Sequence, residues 1–114
     1  MHLYEYHAKV VRVIDGDTLD LDVSLGFYVT QKVRVRLAGV NTPEMHDTDA
    51  TKRAAAQAAK SFVEGLVLNK DVELKTQKTE KYGRWLATIT IPGEPEKDLA
   101  MELLAAGHAV KYMA

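Results

Sequence analysis

Two short segments of this sequence place oxygen-bearing side chains where the chain is expected to turn. The first is Asp15-Gly16-Asp17-Thr18, and the second is Asn41-Thr42-Pro43-Glu44. Carboxylate, amide and carbonyl oxygens are the ligands that Ca²⁺ takes in proteins, and the fixed φ angle of Pro43 would hold Glu44 in one position. Each segment is also what an ordinary turn looks like. These two segments therefore favour a cation site only in combination with further residues that suit the same chemistry.

Cationic side chains that could bind a phosphate group occur in two further places. The first is a predicted strand on which Lys32, Arg34 and Arg36 share the polar face, because side chains alternate along a strand. Surface charges paired with Asp20 or Asp22 across a hairpin are the simpler interpretation for Lys32 and Arg34. Arg36 is set apart because it closely precedes the second oxygen-rich segment.

The second place is the loop at residues 78–84, which carries Lys81, Tyr82 and Arg84. A polar hairpin loop with a glycine at positive φ is one interpretation. The other is a substrate contact, since guanidinium groups match phosphate oxygens and tyrosine rings stack on bases. Carboxylates, arginines and a tyrosine at turns and strand ends together favour a metal-dependent phosphodiesterase site.

The elements that must position these residues begin with strands. Alternation of apolar and polar residues predicts strands at 4–14, 19–24 and 32–37, then at 72–76 and 85–91. The dipeptide Leu25-Gly26 is the predicted turn between the second and third strands. Trp85 is interpreted as a barrel residue.

Two helices interrupt and follow the strands. A period of three to four residues predicts a helix at about 48–68 with Asp49 or Thr51 as N-cap, and its apolar face is predicted to carry Ala55, Ala59, Phe62 and Leu66. Asp98 is the predicted cap of a second helix that ends at Gly107. Three strands, a helix, two strands and a helix are the order expected of a five-stranded OB-fold Greek-key barrel with two packed helices.

Composition narrows the class of protein. The 114 residues fit a single domain, residues 1–114, and 46% hydrophobic with 27% charged residues is typical of a globular chain. The absence of cysteine excludes disulfides and thiolate metal sites, and a net charge of −1 argues against binding nucleic acid by bulk charge. The sequence as given shows neither a signal peptide nor a membrane-spanning run, which predicts a cytoplasmic protein without a membrane partner.

The four motifs, taken in order, resemble the signature of a known family. Asp15-Gly16-Asp17-Thr18, Arg36-Leu37, Asn41-Thr42-Pro43-Glu44 and Lys81-Tyr82-Gly83-Arg84 are similar to the motifs of the staphylococcal nuclease (thermonuclease) family. The similarity covers roughly residues 8 to 112, since it continues into Gly107-His108-Ala109. It implies an OB-fold barrel and a calcium-dependent nuclease that acts on DNA, RNA or both.

The resemblance also implies roles for individual residues. Asp17 would be a direct Ca²⁺ ligand, and Thr42 would bind the ion through its backbone carbonyl. Asp15 would lie next to these ligands without binding the ion itself. Glu44 would be the general base for the attacking water, and Arg36 would bind the scissile phosphate.

Further roles implied by the resemblance fall on the loop and the carboxyl end. Arg84 would be the second arginine on the phosphate, while Lys81, Tyr82 and Tyr112 would contact the nucleotide.

The sequence departs from the family at Asn41, where the best-known members carry aspartate as a second metal carboxylate. An amide oxygen still binds Ca²⁺, so weaker affinity or tolerance of other divalent ions is expected, with activity retained. The alternative is a weak or inactive OB-fold module that binds nucleic acid or protein. A monomer and a weak dimer are both compatible with the sequence.

Overall fold

A closed barrel of five strands, with two helices packed against it, makes up the fold. The structure is a computed structural model and describes residues 4–79 and 85–112. Its strands and helices, in chain order, are β1 (Glu5–Asp15), β2 (Thr18–Gly26), β3 (Val29–Leu37), β4 (Val40–Asn41), α1 (Ala50–Val67), β5 (Asp71–Thr79), β6 (Trp85–Ile91), β7 (Lys97–Asp98), α2 (Leu99–Ala105) and β8 (Val110–Lys111).

The barrel is closed by a parallel pairing between β3 and β6. The antiparallel order is β3-β2-β1-β5-β6-β7, and Val35 and Leu37 of β3 then pair with Trp85 and Ala87 of β6. The Ala38 amide extends this seam by donating to the Ala87 carbonyl at 2.9 Å. The predicted OB-fold class and its five principal strands are confirmed.

Apolar side chains at every second position of the strands point inward and fill the barrel. Leu19, Leu21 and Val35 are buried completely, and the outward positions of β2 and β3 carry the charges. In this register Asp20 lies opposite Arg34, and the Arg34 Nε donates to Asp20 Oδ1 at 2.7 Å. The predicted cross-hairpin pairing of Arg34 is confirmed.

This ion pair changes how Asp20 titrates. The hydrogen bond from Arg34, together with the charges of Arg34, Arg12 and Lys32, holds the pKa of Asp20 below its usual range, against burial, which acts to raise it. A lowered pKa stabilises the fold above the pKa of the unfolded aspartate, and this stability is lost as pH falls through the folded pKa.

Replacing Arg34 with methionine should therefore destabilise the protein at pH 7 by about 1 kcal/mol, allowing for the half-exposed guanidinium. The loss should shrink as pH falls below the pKa of Asp20, because the protonated acid no longer needs the partner. Urea unfolding across that pH range measures it, with Lys52→Met at an exposed position of α1 as control. A difference that stays constant with pH would contradict the pair's role.

Helix α1 begins where Asp49 caps it, and the Asp49 carboxylate accepts from the amides of Thr51 and Lys52. The predicted apolar face was wrong at Ala55 and correct at Ala59, and the predicted Phe62 and Leu66 pack against the core. Ala55 is exposed, Phe62 and Leu66 are only partly buried, and the fully buried residues are Ala56, Ala59, Val63 and Val67. Neither helix in residues 4–79 and 85–112 is long and apolar enough to span a membrane.

Helix α2 has the predicted ends. Asp98 accepts from the Met101 amide at the start, and Gly107 ends the helix with a φ of 78°. The Gly107 and His108 amides donate to the carbonyls of Leu104 and Leu103, which is the Schellman arrangement.

The β2–β3 hairpin turns two residues later than predicted. Gly26 pairs with Val29, so Phe27 and Tyr28 form the turn instead of Leu25-Gly26. Both aromatic residues have positive φ, at 54° and 63°. The barrel strand β2 is longer than predicted for this reason.

Candidate metal and phosphate site

The residues of the two oxygen-rich segments meet at one end of β3. The β1–β2 turn is held against this end because the Leu37 amide donates to the Asp17 carbonyl at 2.8 Å. Thr18 pairs with Arg36 across β2 and β3, and β4 follows three residues after Leu37. Asp17, Arg36, Asn41 and Thr42 are thereby brought together from distant positions in the sequence.

Asp17 is a buried carboxylate whose two oxygens are both engaged. Its Oδ1 accepts from the Thr18 hydroxyl at 3.1 Å, and its Oδ2 accepts from the Thr42 amide at 3.1 Å. The Arg36 Nη2 lies 3.6 Å from the same Oδ2. A buried charge is costly unless it is paired and hydrogen-bonded, and this environment meets both conditions.

Arg36 is the centre of the site, with a side chain only 11% exposed. Its Nη2 donates to Asn41 Oδ1 at 2.9 Å, and its Nη1 donates to the Leu37 carbonyl at 3.3 Å. Asp17 and Asn41 thus direct oxygens at the same guanidinium nitrogen. The five N–H donors of arginine allow it to keep these partners and still present donors to a phosphate.

The ring of Tyr112 lies against the Arg36 guanidinium. The Arg36 Cζ lies 5.0 Å from the centre of the Tyr112 ring, within the range of a cation–π contact. Strand β8 pairs with β4, and the Tyr112 amide donates to the Gly39 carbonyl at 3.0 Å, which holds the backbone of Tyr112 beside the site. The structure therefore brings Tyr112 to the site, as the sequence analysis predicted.

Sequence reasoning missed the role of Gly16, which it interpreted as a turn residue. Gly16 is buried, and its φ lies outside the left-handed region. A Cβ built there would lie 3.0 Å from Ala59 Cβ and 3.1 Å from the Thr42 side chain. Gly16 therefore lets α1 and Thr42 approach the β1–β2 turn closely. Both neighbours are distant in sequence, so no local pattern could have indicated this.

Asp15 and Glu44 lie at the edge of the site. Asp15 Oδ1 accepts from the Met45 amide at 3.2 Å, which ties the turn after β4 to the end of β1. Glu44 is exposed, and its carbonyl accepts from the Asp47 amide at 3.2 Å. Its position two residues after Thr42 keeps it in the same turn.

The donor set suits a hard cation, although residues 4–79 and 85–112 contain no group of three or more carboxylate or histidine side chains placed to hold a metal. Asp17 offers a carboxylate and Asn41 an amide oxygen beside it. The buried Thr42 hydroxyl has no hydrogen-bond partner among the described atoms, so one polar group is left for a ligand. Oxygen donors of this kind fit Ca²⁺.

Three predicted site residues, Lys81, Tyr82 and Arg84, lie outside the described residues. The strand that follows them begins beside the site, because Leu86 of β6 pairs with Arg36 of β3. Their proposed contacts stay predictions.

Comparisons with known proteins agree with the geometry. The family model described as Staphylococcal nuclease homologue matches residues 34–114. The chain is 35% identical to a thermonuclease of Staphylococcus hyicus over 89% of its own length and 59% of the relative's. It is 30% identical to a micrococcal nuclease of Shigella flexneri over 77% of its length and 44% of the relative's. For Protein ParB of Escherichia coli the identity is 34%, with 76% and 43% covered. The chain thus spans about half the length of these relatives.

Proposed function

This chain belongs to the staphylococcal nuclease family, and we propose that it is a calcium-dependent nuclease that hydrolyses phosphodiester bonds in DNA, RNA or both. The reaction would be attack of a water molecule on phosphorus, with departure of a sugar oxygen. The relatives named as nucleases support the general activity, and the metal and the substrate are part of the proposal.

One observation carries the proposal: the buried Asp17 carboxylate and the Asn41 amide oxygen converge on the Arg36 guanidinium. A purely structural ion pair would not need a neutral amide oxygen and an aromatic cover from Tyr112 at the same guanidinium. An anion-binding arginine beside cation-binding oxygens is what phosphodiester hydrolysis needs, since the substrate is itself an anion.

In the proposed mechanism, Arg36 holds a non-bridging oxygen of the scissile phosphate and stabilises the charge that develops in the transition state. Arg84 binds the same phosphate from the β5–β6 loop. Glu44, exposed beside the site, accepts a proton from the attacking water or orients it. Tyr112 keeps the guanidinium in place while it contacts the nucleotide, with Lys81 and Tyr82 as further contacts.

Asp17, Asn41 and the Thr42 carbonyl are the residues that would hold Ca²⁺. When bound, the ion neutralises charge on the phosphate and lowers the pKa of a coordinated water. Because Asp17 and Asn41 both contact Arg36 in the structure, the oxygens that would hold Ca²⁺ lie beside the guanidinium that would hold the phosphate.

Digestion of plasmid DNA and of single-stranded RNA, with Ca²⁺ and with EDTA, tests the proposal. Cleavage should require Ca²⁺, and Glu44→Gln should lower its rate by about 10²–10⁴-fold. Arg84→Ala should also lower it strongly. Glu73→Gln, the same change at an exposed carboxylate of β5, serves as control. Absence of Ca²⁺-dependent cleavage would leave a nucleic-acid- or protein-binding module, and cleavage unchanged in both variants would place the site elsewhere.

Asn41→Asp should bind Ca²⁺ more tightly than the natural protein, by about tenfold, because affinity rises with the number of charged ligands. The new carboxylate would also pair with Arg36, which now hydrogen-bonds the amide, so the gain should stay below that of an unopposed charge. Isothermal titration calorimetry measures it. Asn69→Asp adds the same charge at an exposed position after α1 and should change nothing. Equal or weaker binding by the Asn41 variant would refute the charge argument.

A further inference from the structure

The stretch of chain that carries Glu44 connects β4 to α1 and contains no helix or strand. We use the name linking segment for this stretch, residues 42–49. Segments of this kind lie on the surface and are ordinarily more mobile than the elements they connect. Glu44 is exposed, so little packing holds its side chain, and its location depends on how the backbone of the linking segment is held.

The barrel holds the first half of the linking segment. Asp15 Oδ1, at the end of β1, accepts from the Met45 amide at 3.2 Å, directly after Glu44. The Glu44 carbonyl accepts from the Asp47 amide at 3.2 Å. The backbone at Glu44 is therefore tied on one side to the barrel and on the other side to Asp47.

Asp47 is in turn tied to the start of α1 through both its side chain and its backbone. Its Oδ1 accepts from the amide of Asp49, the N-cap of α1, at 2.8 Å, which is an Asx turn. Arg53 lies in the first turn of α1, and its Nη1 donates to the carbonyls of Asp47 and Thr48 at 3.1 and 3.0 Å. The second half of the linking segment is thus held by α1.

Helix α1 is itself fixed against the barrel at the same end. Ala56 and Ala59 are buried completely, and Ala59 lies so close to Gly16 that a Cβ on this glycine would be 3.0 Å from it. Gly16 directly follows Asp15, which holds the linking segment from the barrel side. The two supports of the segment therefore contact each other, and Glu44 lies in a closed circuit of hydrogen bonds and packing.

We propose that Arg53 and Asp47 are positioning residues, which hold the linking segment against α1 so that the Glu44 carboxylate lies at the metal and phosphate site. A base must lie within hydrogen-bond reach of its water, and a displacement of about 1 Å can cost about a hundredfold in rate. The inference rests on the proposed function for the role of Glu44. It gives α1 a part in the reaction without any contact between Arg53 and the substrate.

Arg53→Ala should lower kcat for Ca²⁺-dependent cleavage about tenfold and leave KM nearly unchanged, because the guanidinium donates to backbone carbonyls and not to the substrate. Lys52→Ala removes the same charge from the neighbouring exposed position of α1 and should keep the natural kcat. A rise in KM that depends on salt concentration, with kcat unchanged, would show that Arg53 binds phosphate and would overturn the proposal.

A double-mutant cycle tests whether Arg53 acts through Glu44. In the Glu44→Gln protein, Arg53→Ala should lower the rate no further, since no base remains to be positioned. If Arg53→Ala caused the same fold loss in both proteins, Arg53 would act independently of Glu44, contrary to the proposal.

Asp47 allows a rescue by a conservative variant. Asp47→Asn keeps a side-chain oxygen that can accept from the Asp49 amide, so it should retain most of the natural kcat. Asp47→Ala loses this acceptor and should lower kcat about as much as Arg53→Ala. If asparagine were as damaging as alanine, the charge of Asp47 would be the property that matters, and its positioning role would be refuted.

Amide hydrogen exchange, measured by NMR without Ca²⁺ or substrate, tests the connection whether or not the protein is a nuclease. The amides of Met45, Asp47 and Asp49 are hydrogen-bonded, and they should exchange at least about tenfold faster in Arg53→Ala. Faster exchange in a protein that shows no Ca²⁺-dependent cleavage would confirm the connection and reject the proposed function. Cleavage with both exchange and kcat unchanged in Arg53→Ala would support the nuclease and overturn the inference.

Discussion

Replacing Arg36 with alanine should lower the rate of Ca²⁺-dependent cleavage at least about a hundredfold, the usual result of removing one donor to a transition-state oxygen. The effect should fall mainly on kcat, because the guanidinium is already positioned by Asn41, Leu37 and Tyr112 before substrate arrives. Arg36→Lys keeps the charge but loses the forked donor, and a loss of tenfold or more is still expected. Steady-state kinetics on a short oligonucleotide measures both.

The same variant should not lose Ca²⁺ affinity. Arg36 shares Asp17 and Asn41 with the proposed metal, so its removal frees both oxygens, and titration calorimetry should show binding that is unchanged or tighter. Arg34→Met is the matched control, because Arg34 lies on the same strand face but pairs with Asp20. Cleavage by Arg36→Ala within threefold of the natural rate would remove Arg36 from the mechanism.

Gly16→Val should be the most damaging single change to the site that leaves every proposed ligand in place. Even the Cβ would meet Ala59 and Thr42 at 3.0–3.1 Å, and overpacking of this kind costs about 1–3 kcal/mol. Because Thr42 holds Asp17 through its amide, displacement of Thr42 should also weaken Ca²⁺ binding. Urea unfolding and calcium titration measure the two effects.

Gly65→Ala provides the control for Gly16→Val. Gly65 lies within α1 with open space around its Cα, so alanine there should stabilise the protein by about 0.5–1 kcal/mol. If Gly16→Val unfolds at the same urea concentration as the natural protein, the close packing behind the site is not tight enough to position Thr42.

The sequence predicted the barrel strands well because they satisfy a strong local rule. The period of two in β2 and β3 fixes which residues face inward, whereas the choice of Asp20 over Asp22 as the partner of Arg34 depends on the register set by the turn. The strands β4, β7 and β8 have two residues each, which is too short for any period. They exist because distant segments pair, as Val40 does with Lys111.

Helix α1 shows why the face of a predicted helix can be wrong. The segment contains apolar residues at several adjacent positions, so faces one residue apart differ little in hydrophobicity. The choice of Ala56 over Ala55 as a buried residue is made by the surface that α1 covers, including the gap left by Gly16. That surface is formed by other parts of the chain.

The residues that form the candidate site could be predicted from the sequence, whereas the contacts between them could not. Asp17, Arg36, Asn41 and Tyr112 were identified by residue type and order, and the structure brings them together. The direct contact between Arg36 and Asn41 depends on how the turn after Leu37 is built, and the Leu37 carbonyl that orients Arg36 is a backbone group. Spacing along a chain carries no information about such contacts.

The seam that closes the barrel has a consequence for when activity can appear. Val35 pairs with Trp85, and this pairing closes the long stretch of chain between the two residues. Such a pairing forms late in folding, because the entropy lost on closing the loop is offset only by contacts that form afterwards. A chain that is still emerging from the ribosome already contains Asp17 and Arg36, but β6 is not yet available to pair with β3. If the chain is the nuclease proposed above, we expect the nascent chain to leave intact the messenger from which it is translated, and the first appearance of cleavage during refolding to mark completion of the barrel.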